Sequence, residues 1–226
     1  MSFFNIRGFT SKNRLRKVLS NGSFNSSGSS VSSPKLLYLS PTHLEASLVK
    51  GNFKNIVTLP KYVDQEEWLA SNVFDFFNNI NLFYGAVSDY CNHRNCPVMS
   101  ADAGIEYMWT DTNRRQMKLP ASQYIDYVMT YVQNLMDDES MFPTKSANAF
   151  PPNFIVIIKG IFKQLFRVFA HIFHAHYDVI LHLHAEPHLH SLFAHFISFS
   201  KEFDLLDKKD ISPLQELVSE MEVSAI

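Results

Sequence analysis

Cysteine is nearly absent from this chain of 226 residues: Cys91 and Cys96 are the only two, and both fall in the phrase CNHRNC. Two thiols in a chain this long are no disulfide framework, which points to a reducing compartment. Glycine is scarce as well. Seven glycines leave few places for a phosphate-cradling loop, and neither G-x-S-x-G nor H-E-x-x-H occurs. Neither sign of charge dominates, since 20 Lys and Arg stand against 22 Asp and Glu, so net charge gives no case for nucleic acid or an anionic membrane as partner. Long apolar runs are missing too. Arg167, Asp178 and Glu186 interrupt the longest candidate, short of the roughly 18 residues that suggest a transmembrane segment. What abounds is apolar side chain, 46% of the residues with 20 Phe among them. That is enough for one sizeable core, in a chain too short for two large domains.

Acidic residues are absent from the start of the chain, where Glu45 is the first. Residues 1–35 hold ten serines with Arg7, Lys12, Arg14, Arg16 and Lys17. Such a stretch buries too little apolar surface to offset its ordering entropy, so a disordered Ser-rich basic tail is expected, followed by one folded domain over 36–226. The same composition, with Phe3, Phe4, Ile6 and Phe9, also meets the rough description of a mitochondrial transit peptide.

An extended connector, KLLYLSPTHLEASLVKGNF, leads to the first strong helix signal. Asp64 is placed to cap that helix while Glu67 reaches back from three residues on. Leu69, Val73, Phe76, Ile80, Phe83 and Val87 recur at spacings of four and three, about six turns of buried helix ending near Tyr90. IEYMWTD and RQMKL, joined by TNR, alternate as a short hairpin does. Pro120, Ala121 and Ser122 open the next helix, with Tyr124, Val128, Tyr131 and Leu135 on one side. The spacing of Phe154, Ile158, Ile161, Leu165, Val168 and Ile172 predicts one long helix over 153–184. A shorter one runs through Leu189, Leu192, Phe193, Phe196 and Ile197, and a last helix takes Ser212 as cap with Pro213 at its first position. The fold class expected is mainly α, a helical bundle with a small β-hairpin.

Eight of the ten histidines lie between His171 and His195. Thiolate and imidazole are the usual ligands of zinc, so Cys91 and Cys96 together with His171 and His176 can supply a tetrahedral structural Zn2+ site. The choice of histidines stays open at this point: positions five apart on a regular helix lie about 140° from each other, whereas His171 and His174 share a side. A catalytic rival is the H-x-H-x-D run His174, His176 and Asp178, which would make a zinc-dependent hydrolase, but helical periodicity around it spreads alternate residues about the axis. Lys159, Lys163 and Arg167 stand one turn apart, either an ordinary solvated face or an anion site able to hold a phosphate. Around the first helix gather Asp64, Glu66, Glu67 and Asp75, beside Trp68. These serve either as caps and core or as an acidic face with an aromatic anchor for a basic partner helix.

The phrases LPKYVDQEEWLASNVFDFFNNINLFYG, CNHRNCPVMSA, YMWTD, LPASQYIDYVM, DDESMFPTK, KQLFRVFAHIFHAHYD and HFISFSKEFDLLDKKDISPLQEL closely resemble the Mob/phocein family of kinase coactivators, in family order over about residues 36–222. The resemblance implies a four-helix-bundle core with a small hairpin and a non-enzymatic role: binding the basic N-terminal regulatory region of an NDR/LATS-class AGC serine/threonine kinase and promoting its active state. It puts the structural zinc ligands on Cys91, Cys96, His171 and His176, choosing His176 over His174. It puts the kinase-facing residues on Glu67, Trp68 and Asp75, with Asp64 nearby. The phosphopeptide pocket of some members, which would take a phosphorylated upstream kinase or scaffold, matches Lys163 and Arg167, though Gln164 stands at its middle basic position. Gln164, LYLSPTHLEASLVKGNF and the Ser-rich tail make the chain look like the subtype that serves NDR-class kinases in polarity and morphogenesis. A LATS-like or mitotic-exit partner is the alternative. Such a protein is expected in the cytoplasm, and also in the nucleus or at the cell cortex.

Overall fold

The computed structural model describes residues 36–44, 53–102, 104–145 and 148–223. The Ser-rich tail and the middle of the connector lie outside the described residues. Where the connector is described it is not extended. Leu37–Leu39 forms a 3-10 turn and Pro41–Leu44 the short helix α1, and just past the connector Lys54–Val57 forms the short helix α2. Tyr38 explains the first turn: it is buried, with its ring edge-on to Phe173 at 5.5 Å and to Tyr177 at 5.8 Å, which pulls the segment down onto the core.

Helix α3 spans Gln65–Val87 and buries the expected stripe. Asp64 is its N-cap, but its carboxylate accepts the N–H of Glu66 at 2.9 Å. Glu67 makes no hydrogen bond back to Asp64 among the described residues, so the reciprocal capping box is absent and the Glu67 side chain stays exposed. Four short strands follow: β1 Ser100–Asp102, β2 Ile105–Glu106, β3 Trp109–Thr110 and β4 Gln116–Met117. They form two antiparallel pairs, β1 with β2 and β3 with β4. The expected hairpin is therefore split. Its first half, Ile105–Glu106, pairs backward across the turn at Gly104, because the Tyr107 N–H is drawn to the Met99 carbonyl at 2.8 Å. Alternation marks a strand and carries no label for its partner.

Helix α4 covers Ala121–Met136 and α5 Phe154–Ala175. The helix expected over 153–184 breaks at His176, whose φ of −135° and ψ of 14° leave the helical region, and resumes as α6, Tyr177–His182. Tyr177 and Ile180 continue the buried face beyond the break, so apolar spacing alone does not reveal it. Helix α7 spans Glu186–Glu202, α8 Lys208–Ile211 and α9 Gln215–Val223, with a 3-10 turn at Ser212–Leu214 between the last two. Ser212 does not cap α9. It is itself helical and its hydroxyl donates to the Lys209 carbonyl at 2.9 Å, since α8 already carries the chain into the turn.

The core lies among α3, α4, α5 and α7, with α5 central. Phe76 of α3 meets Phe162 of α5 edge-on at 5.7 Å, and Phe162 stacks on Phe196 of α7 at 4.8 Å. The fold is thus mostly helical with two small strand pairs. No helix among the described residues is long and apolar enough to cross a membrane.

Two histidines within this core have a measurable cost. His195 stacks on Phe53 at 5.7 Å with its Nε2 buried and unpartnered among the described residues, while His190 meets the Tyr177 hydroxyl at 2.8 Å. Burial holds each at about 4, for His190 with a smaller contribution from His43. The unfolded chain, with histidines near 6.5, therefore binds protons that the folded chain refuses between about pH 6.5 and 4. Stability is expected to be full above that window and to fall through it by about 1.4 kcal/mol per pH unit for each histidine. Denaturant titrations at pH 7 and 5 check this. His195→Phe, which keeps the aromatic stack, should shrink the difference between the two by about 2 kcal/mol.

Candidate metal centre and interaction faces

The loop after α3 is shaped by Asn92, whose side-chain oxygen accepts the N–H groups of Arg94 at 3.0 Å and Asn95 at 3.1 Å. Its carbonyl accepts the Cys96 N–H at 2.8 Å, closing a tight turn that aims both thiols the same way. They meet α5 and the break after it. Cys91 Sγ lies 3.4 Å from His171 Nε2, and Cys96 Sγ lies 3.5 Å from His176 Nε2. All four residues are buried, and their ligand atoms lie within 4.8 Å of one another.

This set fits a tetrahedral metal ion. With Zn–S near 2.3 Å and Zn–N near 2.0 Å, a sulfur–nitrogen edge of the tetrahedron is roughly 3.5 Å. His171 Nδ1 sits 2.8 Å from the Ser100 carbonyl oxygen, to which it donates, leaving Nε2 as the lone pair toward the thiols. Burial depresses both histidines, His176 to about 4 with His171 adding to the effect, and so keeps them in the neutral form that ligates. Burial and the Cys96 thiol push Cys91 up to about 12, and burial raises Cys96 as well. Two adjacent buried thiolates need a cation to exist there. The buried Cys2His2 group is compatible with a zinc site.

The break at His176 resolves the choice of histidines. On an unbroken helix His174 would share a side with His171, but the non-helical backbone at 176 swings that imidazole back toward Cys96. His174 turns elsewhere, with Nε2 3.2 Å from the Tyr38 hydroxyl and 3.0 Å from the Pro213 carbonyl. Asp178 is exposed on α6. The His174, His176 and Asp178 run therefore does not converge, and the Cys2His2 group is the only cluster of metal-ligating side chains among the described residues.

The basic row is real but occupied. Lys159 pairs with Asp204 at 2.9 Å and Lys163 with Asp210 at 2.6 Å. Arg167 donates from Nη1 to the Tyr124 hydroxyl at 2.6 Å and lies 5.0 Å over the Tyr107 ring. Tyr124 in turn donates to Gln164 Oε1 at 2.9 Å. Tyr107, Tyr124 and Asp210 have no local signal in the sequence, because tertiary folding alone brings them to this row.

On α3, Glu67 is exposed, and Asp75 is half-buried with no ion pair among the described residues. Burial holds the Asp75 carboxyl above its ordinary value. Trp68 is partly buried: its Nε1 donates to the Val57 carbonyl at 3.2 Å, and its ring lies tilted on Phe199 at 6.5 Å. It fastens α2 to the bundle. Phe74 and Leu82, on the same side of α3 as the two acids by helical spacing, are 54% and 49% exposed, large apolar side chains outside the core. Their positions off the buried α3 stripe are legible in the sequence.

A helical bundle with a buried Cys2His2 cluster and a core helix whose exposed side carries acidic and apolar residues has the makings of a binding scaffold. The Mob1/phocein family model matches residues 45–214, and the chain belongs to that family. It is 50% identical over 195 residues to the maintenance of ploidy protein mob2 of Schizosaccharomyces pombe, covering 86% of this chain and 80% of that protein. It is 50% identical over 186 residues to the CBK1 kinase activator protein MOB2 of Candida albicans, covering 82% of this chain and 59% of that protein. The protein of the same description from Saccharomyces cerevisiae is 48% identical over 190 residues, covering 84% of this chain and 66% of that protein. The chain thus spans less than two thirds of the length of the Candida and Saccharomyces relatives.

Proposed function

We propose that this protein is a non-catalytic coactivator that binds the basic N-terminal regulatory region of an NDR/LATS-class AGC kinase and promotes the kinase's active state. The reading rests on family membership and on relatives named as kinase activators, and one structural observation carries it. Asp75 is a half-buried carboxylate, raised by burial, with no cation among the described residues to balance it. A lysine or arginine of a partner helix supplies that charge. Glu67 and Asp75 span about 12 Å of helix, with Phe74 between them and Leu82 further along the same side as apolar contacts. Trp68 and the capping carboxylate Asp64 hold the start of this face in place. Zinc on Cys91, Cys96, His171 and His176 is structural in this scheme. Four protein ligands leave no open position for a substrate or an activated water.

Adding the protein to an NDR-class kinase is expected to raise phosphorylation of a peptide substrate severalfold, while the protein alone turns over nothing. Unchanged kinase activity in the presence of bound protein would sink the coactivator reading.

A second reading is favoured by the guanidinium of Arg167, which has no carboxylate partner among the described residues: with Lys163 it forms a site for a phosphorylated peptide from an upstream kinase or scaffold.

A further inference from the structure

The groups around Arg167 are unevenly satisfied. The guanidinium has no carboxylate partner among the described residues, only the Tyr124 hydroxyl at 2.6 Å and the Tyr107 ring beneath it. The Tyr107 hydroxyl is buried and makes no hydrogen bond among the described residues. Gln164 uses its carbonyl oxygen to accept from Tyr124, and its amide N–H groups have no acceptor among the described residues. A cation lacking a counter-ion and unspent donors are what an anion would meet here. One turn away Lys163 differs. Its ammonium is 2.6 Å from Asp210 Oδ1, and the Asp210 side chain is only 15% exposed.

We propose that Asp210 is an internal competitor for the phosphate of a phosphothreonine or phosphoserine peptide, so that the site opens fully only when Lys163 is released from it. The inference rests on the phosphopeptide reading of this row. With Asp210 in place, Lys163, Arg167 and Asp210 sum to one positive charge, and a phosphate dianion would leave the cluster net negative. Without that carboxylate the dianion is balanced by Lys163 and Arg167. Asp210 also sits on an element that is weakly held. Helix α8 has four residues, and its N-cap Asp207 makes no side-chain hydrogen bond to it. The same acidic segment reaches Lys159 through Asp204, an exposed pair that contributes little to stability. Gln164 acts as a neutral donor where a third cation would make the site less dependent on Lys163. In this chain the state of Asp210 therefore sets the affinity.

Calorimetry of the full chain with a phosphothreonine peptide and its unphosphorylated twin tests this. Asp210→Asn, which keeps shape and removes charge, is expected to bind the phosphorylated form at least roughly tenfold tighter than the parent. Adding Arg167→Ala should erase that gain, and inorganic phosphate should compete. A parent and an Asp210→Asn variant of equal affinity would leave the phosphopeptide site standing and overturn the competitor role. If neither prefers the phosphorylated form, both readings fail. Carbon-13 spectra of the parent check the point without a substitution: the Asp210 carboxylate signal should shift as phosphopeptide saturates the protein. A signal that stays put at saturation would mean that the Lys163 pair survives binding, against the proposal.

Discussion

Cys91→Ser and His176→Ala are each expected to yield a protein that no longer holds zinc and does not fold stably at room temperature. The reason is the depth of the cluster. All four side chains are buried, and the site joins the loop after α3 to both sides of the α5–α6 break. A site of this kind does not exist in the unfolded chain, so its binding free energy, on the order of 10 kcal/mol, adds to folding. That is comparable to the whole stability of a typical domain. Removing one ligand also leaves a buried thiol or imidazole without its partner. His174→Ala is the discriminating control. It loses hydrogen bonds to Tyr38 and Pro213 and is expected to cost roughly 1–2 kcal/mol while keeping one zinc per chain. Elemental analysis with thermal melting separates the cases. A parent that carries no zinc and melts unchanged after chelation would contradict the structural role.

Asp75→Lys is expected to cost about 2–5 kcal/mol of kinase-segment binding, thirtyfold or more in Kd, with the fold intact. The substitution removes an attraction and places a second cation where the partner brings its own. Asp75 is partly exposed, lies off the buried stripe of Leu69, Val73, Phe76 and Ile80, and is not part of the Cys2His2 cluster. Glu67→Lys reverses an exposed charge and should act mainly on the association rate and its salt dependence. Circular dichroism and zinc content serve as folding controls. If both folded variants bind as tightly as the parent, the kinase docks elsewhere.

Most helices were legible because each buries a stripe at helical spacing, as Leu69 to Val87 and Phe154 to Ile172 do. The four residues of the Cys2His2 cluster were legible by residue type, and the family's motifs chose His176 over His174. A geometric argument that assumed a regular helix favoured His174, and it failed because the helix stops at His176 while the apolar spacing continues through Tyr177 and Ile180. Trp68 was open to two readings, and the structure gives its indole to Val57 and Phe199. The pairing of Lys163 with Asp210 could not be read at all. It joins residues far apart in sequence, and no local pattern records which acid a lysine will meet. The β1–β2 pair was missed for a similar reason, since strands of two or three residues are decided by backbone neighbours such as Met99 rather than by their own side chains.

The central claim is that α3 receives a basic helix from an NDR/LATS-class kinase. Calorimetric titration of the zinc-loaded chain with the N-terminal regulatory segment of such a kinase, repeated at low and high salt, tests it most directly. The account predicts saturable one-to-one binding that weakens markedly as salt rises. No binding at either salt concentration by a protein that is folded and carries one zinc would contradict it.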